Sequence, residues 1–300
     1  LFRSALGSLY VSTSQSRVQL ANSATQIENG RYALDVISQE VALGGYFGDS
    51  NPIGAAAWSV PNLCAAATNA LGFSNSPATV PVAIYGYAYG TNPSAPCLSN
   101  VLPNSEIMVV RRVSTTSATT TSMNTGQAYL QGSFCTTDTS PFIFSSGAAA
   151  TFTLHDKTCN TAAELRQASV RIFYLSTCDR CSNGGDGIPT LKVAELSGGA
   201  LQPPTSIAQG IEDVHFSYGV DMDGNGSADC YVSDPGVDNS ALCTTVGGYN
   251  WTASPVTNWS NVTAVRINVL ARTLAPTPGW KDSRSYDLGR GTPSAPVLSV

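Results

Sequence analysis

Residues 12–43 read STSQSRVQLANSATQIENGRYALDVISQEVAL, and this stretch decides the fold of the chain. Its apolar residues recur at spacings of three, four or seven, which is one stripe of an α-helix. They are Leu20, Ala24, Ile27, Leu34, Ile37 and Val41. Gly44 and Gly45 follow, and glycines commonly end helices. The pattern predicts a helix of about 40 residues, roughly 60 Å long at 1.5 Å per residue.

Such a helix is far longer than the globular average of about 11–12 residues, so it needs a special reason. Residues 1–11, LFRSALGSLYV, are mostly apolar but too short to cross a bilayer, which takes about 20 residues. They are therefore expected to be either the end of a longer hydrophobic helix or a junction with a foreign segment, which Arg3 fits better. We assign residues 1–45 to an N-terminal helix and residues 46–300 to a β-rich head domain.

The composition favours an exported, β-rich structural protein. Hydrophobic residues make up 42% of the 300, whereas charged residues make up only 12%, about half the usual share. The net charge is −5 and no cluster of Lys or Arg occurs, so the chain is not expected to bind nucleic acid.

Eight cysteines, an even number spread through polar segments, indicate disulfides and an oxidising compartment. They allow on the order of a hundred pairings. The expectation adopted here is the sequential pairing, in which each bond staples a local loop: Cys64–Cys97, Cys135–Cys159, Cys178–Cys181 and Cys230–Cys243. The CxxC at Cys178 leaves two alternatives open, a redox-active pair or half of a zinc site.

The head is predicted to be built from short strands. β-Branched and apolar runs predict strands over residues 82–88, 107–113, 128–130, 142–144, 149–154, 170–175, 190–196, 214–220 and 262–271. Residues 170–175 and 190–196 are predicted to form an antiparallel hairpin whose long tip carries the CxxC. The hydroxyl-rich run 114–122 is interpreted as a solvated hairpin tip or loop. One α+β domain behind a long helix is the simplest architecture.

Several segments resemble the PilW-type minor pilins of type IV pilus assembly. Near the N terminus these are VSTSQSR at residues 11–17, QIENGRYAL at 26–34 and LGGYFG at 43–48. In the C-terminal half they are GIEDVHFSYGVD at 210–221, VRINVLAR at 265–272 and YDLG at 286–289. Residues from roughly 50 to 205 carry no matching motif.

The resemblance implies a pilin-like fold, in which the long helix packs on an antiparallel sheet with long disulfide-stapled loops. It implies a minor pilin that helps prime the pilus and stays in the tip complex with sister minor pilins and a large tip adhesin. The family's N-terminal processing signature and its basic last strand are absent here, which indicates truncation at both ends. The missing half of the helix would then anchor the protein in the inner membrane and periplasm, before it moves to the extracellular tip.

The partner-facing surface is predicted on the helix, at Leu20, Ile27, Leu34, Ile37 and Val41. Part of this stripe must bury against the protein's own sheet, and the sequence does not divide the two parts. The physical basis is helix packing, because an apolar stripe can insert into the grooves of a neighbouring helix.

A second candidate site is the run Asp221-Met-Asp-Gly-Asn-Gly-Ser-Ala-Asp229. Asp221, Asp223, Asn225 and Asp229 would offer side-chain oxygens and Ser227 its carbonyl, as in the first part of an EF-hand calcium loop. Position 12 is Val232 instead of a bidentate glutamate, so Asp234 or Asp238 would have to substitute. The site would hold a structural Ca²⁺; the alternative is an ion-free turn.

Catalysis has little support in the sequence, and the protein is predicted not to be an enzyme. His155 and His215 lie in no catalytic motif, and His215 is interpreted as a half-buried strand residue. Three other functions stay open: a minor pseudopilin of type II secretion, a calcium-dependent adhesive or carbohydrate-binding module, and an exported hydrolase. Tyr85, Tyr87, Tyr89, Trp251 and Trp259 would suit a carbohydrate surface, or equally a strand core.

Overall fold

The computed structural model describes residues 2–48, 57–124, 126–276 and 282–290. It confirms the α+β class, with a long N-terminal helix, antiparallel sheets and four disulfides. Helix α1 spans Phe2–Ala42 and ends just before the predicted glycines. Gly45 adopts a φ of +76° there, a conformation that glycine takes without steric cost.

Fourteen strands and one further short helix follow among the described residues. The first seven strands are β1 (Ala57–Ser59), β2 (Ser74–Asn75), β3 (Ala78–Pro81), β4 (Ile84–Tyr87), β5 (Ile107–Ala118), β6 (Tyr129–Gly132) and β7 (Phe142–Ser145). The rest are β8 (Leu165–Ser176), β9 (Thr190–Ser197), β10 (Ala200–Leu201), β11 (Thr205–Gln209), β12 (Ile211–Val220), β13 (Cys230–Val232) and β14 (Val262–Ala271). Helix α2, Pro255–Ser260, precedes β14.

The described strands form three sheets. The largest has eight strands, with the path β10-β9-β8-β5-β4, β11 beside β9, and β6 and β7 beside β8. The small sheets are β1-β3-β2 and β13-β12-β14. All pairs are antiparallel except β1 with β3. The predicted hairpin of residues 170–175 and 190–196 is confirmed as β8 paired with β9.

Two cores lie on opposite faces of the largest sheet, because successive side chains of a strand point to opposite sides. Met108 and Val110 of β5 face the first core, with Ala33 and Ile37 of α1 and Phe216 of β12. Ile107 and Val109 face the second core, under the loops that precede β2 and β5. A sheet buried on both faces has nearly continuous apolar strands, which is why residues 107–113 lacked alternation.

Three local predictions differ from the structure. Residues 149–154 are not a strand but begin with a short 3-10 turn, Ala149–Thr151. The hydroxyl run is strand up to Ala118, because β5 continues beyond Val113 and pairs with β8 at Arg166 and Leu165. The strand predicted over residues 170–175 begins earlier, at Leu165 of β8.

Close packing at Gly86 joins the large sheet to β12. A Cβ atom placed on Gly86 would lie 1.9 Å from the hydroxyl of Tyr218, which is 2% exposed. Only glycine at this position of β4 lets the tyrosine ring approach so closely.

Candidate functional site

Helix α1 carries large apolar side chains in solvent, of which Leu20 and Ile27 share one face while Val18 lies on another. Tyr10 is 77% exposed, Leu20 71%, Val18 57%, Ile27 56% and Tyr32 54%. An open groove beside Ile27 and Tyr32 is also lined by charged side chains of Glu28, Arg31 and Asp35. Monomeric proteins usually expose such residues singly, whereas a row of them marks an interaction surface.

The opposite face of α1 docks on the head from about Gln26 onward. The Gln26 amide donates to the carbonyl of Ala271 at 2.5 Å, and the Asn29 amide donates to that of Gln209 at 3.1 Å. Further along, Ala33 and Ile37 are fully buried in the first core. The helix therefore meets the ends of β14 and β11 and then enters the core.

The structure divides the predicted stripe. Leu20 and Ile27 are exposed and Leu34 is half-buried, whereas Ile37 is 0% exposed and Val41 packs on the first core. Ile37 and Val41 are the part of the stripe that covers the protein's own sheet, and Leu20 and Ile27 are the part that stays exposed, a division that the sequence left open. The contacts of α1 with the head begin near Gln26, so Leu20 lies before them whereas Ile37 and Val41 lie among them.

An ion-pair cluster fixes the last turn of α1 to the largest sheet. Glu40 is 6% exposed and accepts two hydrogen bonds from Arg112, each at 3.0 Å, and one from Arg171. Arg171 also pairs with the more exposed Glu195 at 2.9 Å. Sequence reasoning missed Glu40, because a glutamate in a helix usually faces water.

The acidic loop between β12 and β13 brings three predicted ligands together. One carboxylate oxygen each of Asp221, Asp223 and Asp229 lie within 4.8 Å of one another. Two Ca²⁺–oxygen bonds of about 2.3–2.6 Å span a similar distance. The Asp221 carboxylate accepts from the backbone N–H groups of Gly224 and Gly226, both at 2.8 Å. These bonds, that of Gly226 above all, lower the pKa of Asp221.

The other two predicted ligands, Asn225 and Ser227, are hydrogen-bonded to each other in a turn of the loop. Asn225 accepts from the backbone N–H of Ser227 at 2.8 Å, and its amide donates to Asp223 at 2.9 Å. The Asp229 carboxylate accepts from the backbone N–H of Met222 at 2.7 Å. The donor set is therefore oxygen-only and negatively charged, which suits a hard cation such as Ca²⁺.

The substitutes expected for the twelfth ligand do not join this group. Val232 is buried, and neither Asp234 nor Asp238 belongs to the three-carboxylate group found among the described residues. The Asp234 carboxylate accepts from the backbone N–H of Gly236, and burial raises its pKa. Asp238 caps the backbone N–H of Ser240 at 2.9 Å.

The eight cysteines form four disulfides in sequential order, Cys64–Cys97, Cys135–Cys159, Cys178–Cys181 and Cys230–Cys243. The structure has no free cysteine among the described residues. Cys178 and Cys181 are bonded to each other, so the zinc half-site considered for them is not the state seen here.

His215 lies in a hydrogen-bonded chain that has the order of a catalytic triad. Its Nδ1 is 2.8 Å from the Glu106 carboxylate, and its Nε2 is 2.9 Å from the Ser217 hydroxyl. However, His215 is 0% exposed and Ser217 is 7% exposed, so no substrate reaches the hydroxyl. Glu106 also accepts the backbone N–H of Phe216 and the Arg290 guanidinium. These hydrogen bonds form a buried structural network. His215, which was predicted to be half-buried, is fully buried.

Most of the aromatic residues considered for a carbohydrate surface are buried or partly buried, and only some are exposed to solvent. Trp251 and Trp259 are 4% and 2% exposed and belong to the core, whereas Tyr89 is 55% exposed. Tyr85 packs against Trp259 with ring centroids 4.6 Å apart. These rings are therefore mainly packing elements.

Fold and sites together define the class of protein: a disulfide-stapled α+β head on a long helix that carries exposed apolar side chains. Residues 172–298, less than half of the chain, match the family described as Type IV Pilus-assembly protein W. This match confirms the resemblance to PilW-type pilus proteins and supports a role in type IV pilus assembly at the cell envelope.

The matched range includes β12 and β14, which carry the two C-terminal motifs and pair with each other, and the YDLG segment. The N-terminal motifs at residues 11–48 lie outside it. No curated protein and no solved structure matches the chain. Among the described helices, none combines the length and apolar character that crossing a membrane requires.

Proposed function

We propose that this protein is a minor pilin that helps prime type IV pilus assembly and remains in the tip complex with other minor pilins. The observation that carries the proposal is the exposed apolar face of α1, on a chain whose C-terminal part matches a pilus-assembly family. In this pilin-like arrangement, the second half of α1 docks on its own head. The exposed side of α1 would then present Leu20 and Ile27 to neighbouring helices, whose grooves they would fill.

The proposed partners are sister minor pilins that pack against α1, together with a large tip adhesin. The protein would sit in the inner membrane and periplasm before assembly and at the extracellular tip afterwards. Burying Leu20 and Ile27 would contribute about 1.5–3 kcal/mol each if their burial is complete. That free energy comes from removing from water the apolar surface that both side chains expose in the isolated chain.

The first experiment replaces Leu20 and Ile27 with aspartate in the full-length protein of the native host. Each change should weaken helix association roughly tenfold or more, since 1.4 kcal/mol corresponds to a factor of ten. We expect loss of surface pili, measured in the sheared-filament fraction, with unchanged amounts of the protein in the membrane fraction.

Leu242→Asp is the matched control, because Leu242 is 76% exposed on a head loop away from α1. It should leave piliation intact. Normal piliation of the Leu20→Asp/Ile27→Asp strain, with the variant protein present, would overturn the proposal. Loss of piliation in the Leu242→Asp strain as well would show that the effect is not specific to the helix.

We also propose that the acidic loop binds a structural Ca²⁺ through Asp221, Asp223 and Asp229. The supporting observation is the approach of their carboxylate oxygens to within 4.8 Å. Because Val232 supplies no twelfth ligand, the dissociation constant is expected to be roughly 0.1–1 mM, the range of extracellular modules.

Calcium at ten to a hundred times this constant should stabilise the protein by about 1–3 kcal/mol. The measurement is the shift of the thermal midpoint with added CaCl₂, with MgCl₂ as the ionic-strength control. Asp223→Asn should abolish the shift, whereas Asp238→Asn, outside the cluster, should keep it. An equal shift with Mg²⁺, or a shift that survives Asp223→Asn, would contradict the calcium assignment.

A further inference from the structure

The loop between β8 and β9 holds a disulfide beside a buried lysine. Cys178 and Cys181 are joined there, three residues apart, and Lys192 of β9 is only 7% exposed. The Lys192 ammonium donates to the carbonyl of Asp179 at 3.0 Å and lies 3.5 Å from the sulfur of Cys181. A cation this close to a cysteine sulfur favours the thiolate once the disulfide is opened.

The two sulfurs differ in their surroundings. Cys178 is 5% exposed and its sulfur lies 3.5 Å from the Thr177 hydroxyl, while the Ser176 hydroxyl is near both sulfurs, 4.0 Å from that of Cys178 and 3.7 Å from that of Cys181. Cys181 is partly exposed, so an external thiol or disulfide reaches it first. Lys192 is therefore next to the accessible sulfur and not next to the buried one.

This disulfide also closes the shortest loop of the four. Its cysteines are separated by 3 residues, whereas the other pairs are separated by 33, 24 and 13. In the chain-entropy model a shorter loop contributes less stability, so opening this bond costs the fold the least. In two of the other pairs, a sulfur contacts only uncharged groups in the described part of the chain: the backbone N–H of Cys97 at Cys64, and the hydroxyl of Thr137 at Cys135.

We propose that Cys178–Cys181 is a thiol–disulfide exchange site, in which Cys181 is the reactive sulfur and Lys192 positions and stabilises its thiolate. The reactant is a small thiol or the dithiol of a thioredoxin-type oxidoreductase. The other three disulfides are structural and stay closed under the same conditions.

The exchange runs through a mixed disulfide on Cys181. A reductant thiolate attacks the sulfur of Cys181, and the bond to Cys178 breaks; Cys178 leaves as a thiolate and takes up a proton from water. A second reductant thiol, deprotonated, attacks the reductant sulfur of the mixed disulfide. It releases Cys181 as a thiolate beside Lys192 and leaves the reductant as its disulfide. Two electrons pass from the reductant to the protein, and oxidation is the reverse sequence.

Other charged groups near the loop are exposed or have hydrogen-bond partners that are not the sulfurs. The Asp179 carboxylate accepts from a glutamine amide, and the Asp186 carboxylate accepts from the backbone N–H groups of Asp179 and Arg180. Arg180 is exposed, and Arg272 donates to the carbonyl of Gly187. In the described part of the chain, the charged side chain that contacts a sulfur of this pair is Lys192.

The test titrates the purified full chain with dithiothreitol, traps thiols with iodoacetamide and maps them by peptide mass spectrometry. Cys178 and Cys181 should be reduced first, and Cys181 should be alkylated faster than Cys178. In the wild type, the alkylation rate of Cys181 should become half-maximal below about pH 8.5, the value of an ordinary thiol. Reduction of another pair first, faster alkylation of Cys178, or a midpoint at or above the ordinary value would overturn the proposal.

Variants of the lysine test its role. Lys192→Met should slow Cys181 alkylation at pH 7 by roughly tenfold, because a rise of about one unit in the pKa of the thiol lowers the thiolate fraction tenfold. Lys192→Arg should restore most of the rate. Lys157→Met is the matched control, because Lys157 lies two residues from Cys159 of another disulfide and is exposed. An unchanged rate in folded Lys192→Met would overturn the proposal. If that variant does not fold, the wild-type pH profile and Lys192→Arg decide it.

Discussion

Asp138 accepts three hydrogen bonds next to the Cys135–Cys159 disulfide. They come from the Ser133 hydroxyl at 2.6 Å, the His155 ring at 2.9 Å and the His155 backbone N–H at 2.8 Å. These donors favour the ionised carboxylate, and they lower the pKa of Asp138 to about 2, the Ser133 hydroxyl contributing most.

The lowered pKa of Asp138 predicts a pH-dependent contribution to stability. The contribution is fully present above the unfolded-state pKa of about 3.9 and is lost as the pH falls through the folded value of about 2. The thermal midpoint of the wild type should therefore fall more steeply than that of Asp138→Asn between pH 4 and pH 2. Parallel curves for the two proteins would contradict the assignment, and Ser133→Ala should give an intermediate slope.

At the scale of elements, the joint between α1 and the largest sheet depends on Glu40. Its carboxylate takes two hydrogen bonds from Arg112 of β5 and one from Arg171 of β8, and the Glu40 side chain taken alone is 8% exposed. Two guanidinium groups on neighbouring strands thus share one helix residue. Without that residue, both would keep their charge in a partly desolvated site.

Glu40→Gln should therefore lower the free energy of unfolding by about 3 kcal/mol, toward the lower end expected for breaking a buried ion pair. Arg171 is 30% exposed, which limits the loss. The measurement is the urea midpoint at unchanged denaturant slope.

Glu195→Gln is the control, because Glu195 binds the same Arg171 but is 46% exposed. Its cost should stay below about 1 kcal/mol. Equal losses in the two variants would show that Glu40 acts only as a surface charge.

The sequence predicted the elements whose pattern is local. The end of α1 followed from Gly44 and Gly45, and the β8–β9 hairpin followed from two apolar runs around a cysteine-bearing tip. It could not predict which polar residues are buried. Lysine is rarely buried, but the CxxC loop folds over Lys192, a contact that no local pattern records.

The candidate sites also differ in how far a local sequence pattern predicts them. The acidic loop is contiguous, so its three carboxylates could be named from spacing alone, and the structure brings them together. The apolar stripe of α1 could be named but not divided, because Ile37 is buried by β-strands far away in the chain. Long-range contacts decide that division, and Glu106 and Arg290, 184 residues apart, were missed for the same reason.

At the scale of the whole molecule, Arg290 joins the C-terminal segment to both the large sheet and β12. Its guanidinium donates to Glu106, just before β5, at 2.7 Å, and to Asp213 of β12. It also donates to the carbonyl of Val214 at 2.6 Å, at a part of β12 that β13 does not pair. At this part of β12, the guanidinium therefore supplies hydrogen-bond donors that a neighbouring strand would supply elsewhere.

Removing the Arg290 guanidinium leaves two carboxylates poorly compensated in the interior. Glu106 is 2% exposed at its side chain and Asp213 is 12% exposed. Arg290→Ala should therefore cost about 3–5 kcal/mol, the range for an orphaned buried charge. Arg290→Lys should recover only part of this, because an ammonium cannot bridge both carboxylates and the carbonyl with a planar fork.

Arg284→Ala is the comparison within the same segment, because Arg284 pairs with Asp282 but its side chain is 66% exposed. That change should cost less than about 1 kcal/mol. Urea unfolding of the three variants measures the difference directly. If Arg290→Ala were no more destabilising than Arg284→Ala, the C-terminal segment would be held by Leu288, which is 8% exposed, and not by its ion pairs. If the large loss is found, the segment that carries YDLG is part of the fold that joins β12 to the largest sheet. That would give the motif a structural reason.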